Sequence, residues 1–148
     1  FFRGICFQEI GEWDNARKDY LKALELSPGQ PEVLNYLGYS LIERKEKLSQ
    51  ALGMIEKAIE RNPESGYIVD SLAWGLFKLG RYEEALLPMK KAYELLPFDP
   101  IINDHMGDIL WNNGKRRSAK LYWKRSLSFN PEEEEVSKIK KKIKFGMD

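Results

Sequence analysis

Apolar side chains in this chain fall at helical spacing, i, i+3, i+4 and i+7, and are punctuated at intervals by Gly and Pro. The stretch 66–97 shows the pattern most cleanly. Val69, Leu72, Ala73 and Leu76 predict a helix over roughly 64–79, ended by Gly80. Ala85, Leu86, Met89, Ala92 and Tyr93 predict a second over about 82–95. The small Ala73 and Ala85 mark where two antiparallel helices come closest, and a Leu at either would overpack the pair. Pro88 lies inside the second helix and is expected to kink it, because it removes one backbone hydrogen bond.

This unit recurs. Ala16–Tyr20–Ala23–Pro28, Ala51–Ile55–Ala58–Pro63, Ala85–Met89–Ala92–Pro97 and Ala119–Trp123–Ser126–Pro131 follow one another at 34 or 35 residues. Each block has a small residue upstream, at Gly4, Gly38, Ala73 and Gly107. Self-similarity at this period is the mark of a stacked helical array. Asn62-Pro63, Asp99-Pro100 and Asn130-Pro131 each read as an N-cap residue with proline at the first helical position. Pro131 is thus expected to open a last helix. Its stripe of Val136, Ile139 and Ile143 has acids at the start and lysines at the end, as the helix dipole favours, and it suits a capping helix.

These residues resemble the tetratricopeptide repeat (TPR) motif, W-x2-L-G-x2-Y, then A-x3-F, then P. The second repeat matches with Leu34, Leu37, Gly38, Leu41, Ala51, Ile55 and Pro63; the fourth with Met106, Gly107, Leu110, Ala119, Trp123 and Pro131. The resemblance implies an all-α, right-handed solenoid of antiparallel helix pairs. Its units are a partial repeat over 1–30 with a truncated first helix, full repeats over 31–64, 65–98 and 99–131, and a capping helix and tail over 132–148. The abrupt start, with three residues before Gly4, reads as a piece of a longer protein. Departures fall in two places. An extra residue near 44–50 should distort the second inter-helix turn, and Asn103 and Arg116 replace large apolar groups, which should loosen the last repeat. Ser126 for alanine is a minor change. The last two repeats also look like a subgroup of bacterial multi-repeat TPR proteins, some of them envelope lipoproteins or adaptors for a carboxy-terminal processing protease.

About 120° round from the core stripe, the first helices carry a second face. It holds Asn35, Tyr39 and Ile42 in the second repeat, Tyr67, Asp70, Trp74, Phe77 and Lys78 in the third, and Asp104, Asp108, Trp111 and Asn112 in the fourth. Ile5, Gln8 and Glu9 stand there in the first. In TPR proteins this face lines a concave groove that holds peptides, so the resemblance implies a groove of aromatics and interspersed acids. Rigid aromatics give contact area at low entropic cost. The aspartates would steer a partner bearing Lys or Arg together with apolar side chains. The Lys/Asn pattern that grips a ligand's terminal carboxylate is not met.

Charge modifies the picture at one end. Residues 1–114 hold 13 basic and 18 acidic side chains, whereas 115–148 hold 11 and 5. Lys115 to Arg125 and Lys138 to Lys144 therefore offer an alternative contact with an anionic membrane surface or nucleic acid. Aromatics and positive charge lie on different surfaces, which speaks against nucleic acid. Phe1, Phe2 and Phe7 at the open first repeat offer a further alternative, self-assembly into a homo-oligomer.

Chemistry has little footing. His105, the one histidine, is expected to point away from Asp104 and Asp108 and to sit partly exposed between repeats, and Cys6 reads as a small core residue. No phosphate loop, nucleophile elbow or carboxylate pair appears, so neither catalysis nor a cofactor or metal is expected. The sequence implies a non-enzymatic scaffold or adaptor that binds a protein or peptide, and leaves bacterial cytoplasm and periplasm or envelope equally open.

Overall fold

The computed structural model describes residues 1–148 as nine α-helices without a strand. They gather into two compact units, Phe1–Pro63 and Glu64–Asp148. No helix is long and apolar enough to cross a membrane.

The first unit contains α1 (Phe2–Glu9), α2 (Trp13–Leu26), α3 (Pro31–Glu43) and α4 (Leu48–Arg61). Its core is built from Ala16, Tyr20, Val33, Leu37, Ile55 and Ala58, all essentially without solvent contact. The small residues of the motif do what the spacing requires. A Cβ on Gly38 would come within 2.9 Å of Ile55 and 3.0 Å of the Ala51 carbonyl, so α3 can lie on α4 only without it. Gln8 ties three helices together, its side-chain oxygen accepting from Tyr20 Oη and Ser40 Oγ, each at 2.8 Å. Phe1 packs at 5.5 Å from Tyr36, while Phe2 is exposed and Phe7 half-buried. Cys6 is exposed, contrary to expectation. The spacing that buries Gly4 on α1 turns Cys6 outward.

The second unit contains α5 (Gly66–Lys78), α6 (Tyr82–Leu95), α7 (Pro100–Asn112), α8 (Arg116–Ser128) and α9 (Glu133–Phe145). Val69, Ala73, Ala85, Met89, Ala92, Ile102, Ile109, Ala119, Trp123 and Ile139 form its core. Trp123 is its largest fully buried side chain. An added Cβ on Gly107 would clash with the Trp123 ring, so the glycine on α7 makes room for the indole on α8. Ser126 does more than replace alanine, since its hydroxyl donates to the Pro100 carbonyl at 2.6 Å and ties α8 to the start of α7. Asn103 is wholly buried rather than a loose spot; its Nδ2 donates to the carbonyls of Pro97 and Asp99 at 3.0 and 2.8 Å. Helix α6 runs through Pro88 without a break.

Of the three Asx–Pro pairs only Asp99-Pro100 acts as expected, the Asp99 carboxylate accepting from Ile102 N at 3.0 Å with Pro100 in the first turn. Asn62 instead closes α4, and α5 starts at Gly66 after Ser65. Asn130 adopts a left-handed φ of 55°, and α9 starts at Glu133, two residues past Pro131. Pro31 opens α3 behind Gln30.

The hairpin turns share one closure. After α5, Gly80 (φ 78°) donates to Phe77 O and Arg81 to Leu76 O, each at 2.9 Å, capping the last carbonyls. After α3, Lys45 takes the same role at φ 55°, bonding to Ile42 O while Glu46 N bonds to Leu41 O. Lys47 follows at φ 46°, so the turn with the extra residue places two non-glycine residues in the left-handed region. Such a placement costs a residue with a Cβ about 1–2 kcal/mol. Lys45→Gly should therefore raise stability by up to about 1 kcal/mol, after the glycine's greater unfolded-state entropy is subtracted. A lower urea midpoint for the variant would contradict this account of the turn.

Candidate partner-binding face

The second face of α5, α7 and α9 in the second unit is held together by charge. Lys142 of α9 reaches back to α7, its Nζ donating to Asp104 at 2.5 Å and to Asp108 at 2.7 Å. The Asp108 oxygen that accepts from Lys142 also accepts from Trp123 Nε1 at 2.9 Å. One helix pair earlier, His105 of α7 reaches back to Asp70 of α5, with Nδ1 2.8 and 3.1 Å from the two carboxylate oxygens. A carboxylate only accepts, so Nδ1 carries the proton. The imidazole stacks on Trp74 at 3.8 Å between centroids, and Trp74 in turn stacks on Phe77 at 4.8 Å. The Lys78 ammonium closes the stack 4.8 Å from the Trp74 centroid.

Burial and mutual charge set the ionisation of these groups. Burial pulls the His105 imidazole down, but the Asp70 carboxylate, backed by Asp104 and Asp108, outweighs it and the net direction is up. Burial likewise opposes the charge on Lys142, and Asp108 and Asp104 together hold the ammonium protonated above its usual range. Two carboxylates share that one ammonium. Burial and the neighbouring Asp104 accordingly push Asp108 up, against the pull of Lys142 and His105.

The edge of α7 is covered too. Trp111 is half-buried, its Nε1 donating to the Met147 carbonyl at 3.1 Å, and the Arg116 guanidinium lies 4.8 Å from its centroid. Asn112 Nδ2 donates to the Asp108 carbonyl at 2.9 Å and lies 3.8 Å from Met147 Sδ. Gly146 lies against Trp111, and an added Cβ would clash with the indole. Its backbone, φ 75° and ψ −162°, belongs to a region that only glycine occupies freely.

The expected groove residues therefore have several fates. Ile42, Asp70, Trp74 and Asp108 are buried, and both of these carboxylates already hold partners. Asn35, Tyr39, Phe77, Lys78, Asp104, Trp111 and Asn112 are half-buried, and Tyr67 is exposed. Tyr67 lies beside Asp99; partial burial and that carboxylate raise its phenol above the ordinary range. His105, expected to be partly exposed, is buried. Its ring is turned from Asp104 and Asp108 toward Asp70, one helix pair away. No group of three or more His, Cys, Asp or Glu side chains is placed to hold a metal ion.

The raised His105 value fixes the sign of a pH effect. A group whose folded pKa lies above its unfolded one contributes stability that is complete below the unfolded value, about 6.5 for His. That contribution fades as pH rises through the folded value. Wild-type chain should thus lose stability relative to His105→Gln as pH rises above about 6.5 in urea titrations at fixed salt. A difference that stays constant as pH rises would contradict the ion pair.

The tetratricopeptide repeat family model matches residues 1–130 of this sequence. The chain belongs to that family. TPR repeat-containing protein PA4667 of Pseudomonas aeruginosa is 34% identical over 107 residues, which is 70% of this chain and 18% of that protein. The lipoprotein NlpI homolog of Haemophilus influenzae is 36% identical over 103 residues, covering 68% of this chain and 32% of that protein. The chain thus spans 18% and 32% of the length of these relatives. Among solved structures, a crystal structure of MamA superposes with a TM-score of 0.73 at 17% identity, over 97% of this chain and 81% of that one. MamA 41-end from Desulfovibrio magneticus RS-1 gives 0.72 at 20%, over 85% and 71%. At such identity the likeness speaks to fold, and the fold is the all-α TPR solenoid of antiparallel helix pairs.

Proposed function

We propose that this TPR segment is a protein-interaction scaffold or adaptor that takes a peptide or protein partner along the second face of its first helices. Family membership supports the general role, since TPR arrays serve widely as interaction scaffolds. One observation carries the finer reading: α7 presents Asp104, Asp108, Trp111 and Asn112 side by side, and a lysine-bearing segment lies against them. A partner with basic and apolar side chains meets the same chemistry. No reaction is assigned to the face.

A photo-crosslinking residue at Tyr67, exposed on α5, tests this against the same probe at Leu87, exposed on the opposite helix α6. Adducts in source-cell lysate should form from position 67 and not from 87. Adducts from 87 alone would move the interaction to the second helices and overturn the reading.

The outer side of α9 supports a second reading. Val136, Lys140, Lys141, Lys144 and Phe145 border an open depression of about 560 Å³, with Phe145 exposed. Lysines around an exposed aromatic suit an anionic lipid surface. Binding to phosphatidylserine vesicles that disappears with Lys140→Glu/Lys141→Glu would favour it; binding unchanged by that reversal would end it.

A further inference from the structure

Capping explains part of α9 and not the rest. Ile139 is buried, as a helix that covers the end of an array requires. Three further features point beyond a cap. Two carboxylates on adjacent turns of α7 converge on a single ammonium, Lys142. Four residues later, Gly146 takes a backbone conformation that only glycine adopts freely and lies against Trp111, where a Cβ would clash. The next residue supplies both a main-chain carbonyl for the Trp111 indole and a thioether beside Asn112. All three contacts fall on one face of one helix.

We infer that the exposed-in-principle face of α7 is a receptor for the pattern Lys-x3-Gly followed by a flexible apolar residue, and that residues 142–147 of this chain are its resident occupant. A partner segment of the same chemistry then binds by exchange with the resident one. The inference rests on the proposed interaction face and names its partner's chemistry.

Each element of the pattern has a physical reason. The paired carboxylates select an ammonium over a neutral group, because a neutral occupant would cover two carboxylates without compensating their charge. Only a residue without Cβ can approach the indole plane at the Gly146 position. The indole N–H donates to the Met147 carbonyl, so an occupant that offers a main-chain carbonyl at this place keeps the donor paired where it excludes water. A resident occupant lowers apparent affinity for any competitor by the fraction of time the site stands open.

A fluorescein-labelled peptide with the sequence of residues 138–148 is the probe, read by anisotropy against the full chain. The variant Lys142→Ala/Gly146→Val empties the site in cis and keeps Ile139 in place. It should bind the peptide at least about tenfold more tightly than wild type, which corresponds to a site occupied about nine-tenths of the time. Gly146→Val alone, which disturbs only the residues after α9, should give a smaller gain and guards against misfolding of the double variant. Peptide carrying Lys142→Ala, or Gly146→Val, should lose the gain. Equal affinity of all chains, or binding indifferent to the peptide's lysine and glycine, would overturn the inference. A crosslink from position 67 with no peptide exchange sinks this inference alone. Peptide exchange without that crosslink sinks the broader reading of the face and leaves the α7 receptor standing.

Discussion

Trp123→Ala should cost the second unit about 3–5 kcal/mol, the range for removing a fully buried large aromatic. A domain of this size has a total of roughly 5–15 kcal/mol, so the loss removes a large share. Three contributions add up at this residue. The indole has no solvent contact, it fills the hollow that Gly107 leaves on α7, and its N–H holds the Asp108 oxygen that also carries Lys142. Trp111 leans on it at 5.6 Å and the Lys142 ammonium lies 5.5 Å from its centroid. Truncation would therefore leave a cavity and loosen the hold on α9 together. Urea unfolding followed by circular dichroism measures the cost; a loss below 1 kcal/mol would show that the site collapses without penalty. The Gly107 partner supplies an internal check. Gly107→Ala in the wild-type background overpacks and should cost about 1–3 kcal/mol. In the Trp123→Ala background it should be neutral or stabilising, because the Cβ enters vacated space and alanine favours helix over glycine by about 1 kcal/mol.

Gly107 and Trp123 also show what could be read in the sequence. They belong to a spacing that repeats, so their mutual packing followed from the motif, as did that of Gly38 on Ile55. Helix boundaries were less legible where Asx–Pro had two uses. The same dipeptide caps α7 at Asp99 but closes α4 at Asn62, and the choice depends on where the chain must turn next. The face of α7 was readable as a set of residue types and not as a set of contacts. Asp104, Asp108 and Trp111 looked like offered groups because their partners lie 34 to 38 residues away. Lys142 is one of five lysines between 138 and 144, and nothing local separates it from its solvated neighbours. Helical periodicity supplied one hint, since Lys142 sits three residues from Ile139, on the buried stripe. His105 carried a similar hint. It lies 35 residues after Asp70, one repeat length, which is the register at which successive first helices face each other.

That pairing makes His105→Ala the other large effect expected in this unit. Removing one partner of a buried ion pair leaves an uncompensated charge and typically costs about 3–5 kcal/mol. Asp70 would be that charge: its side chain is 7% exposed and His105 holds both of its oxygens. The loss of ring stacking on Trp74 adds to it. The opposite deletion, Asp70→Ala, should be milder at neutral pH, because an imidazole without its carboxylate can shed its proton and remain buried as a neutral group. This asymmetry separates an ion pair from mere packing, for which the two truncations would cost amounts in proportion to the volume removed. Urea unfolding at neutral pH measures both costs, and costs that stand merely in proportion to the side-chain volume removed would reduce the Asp70–His105 contact to packing.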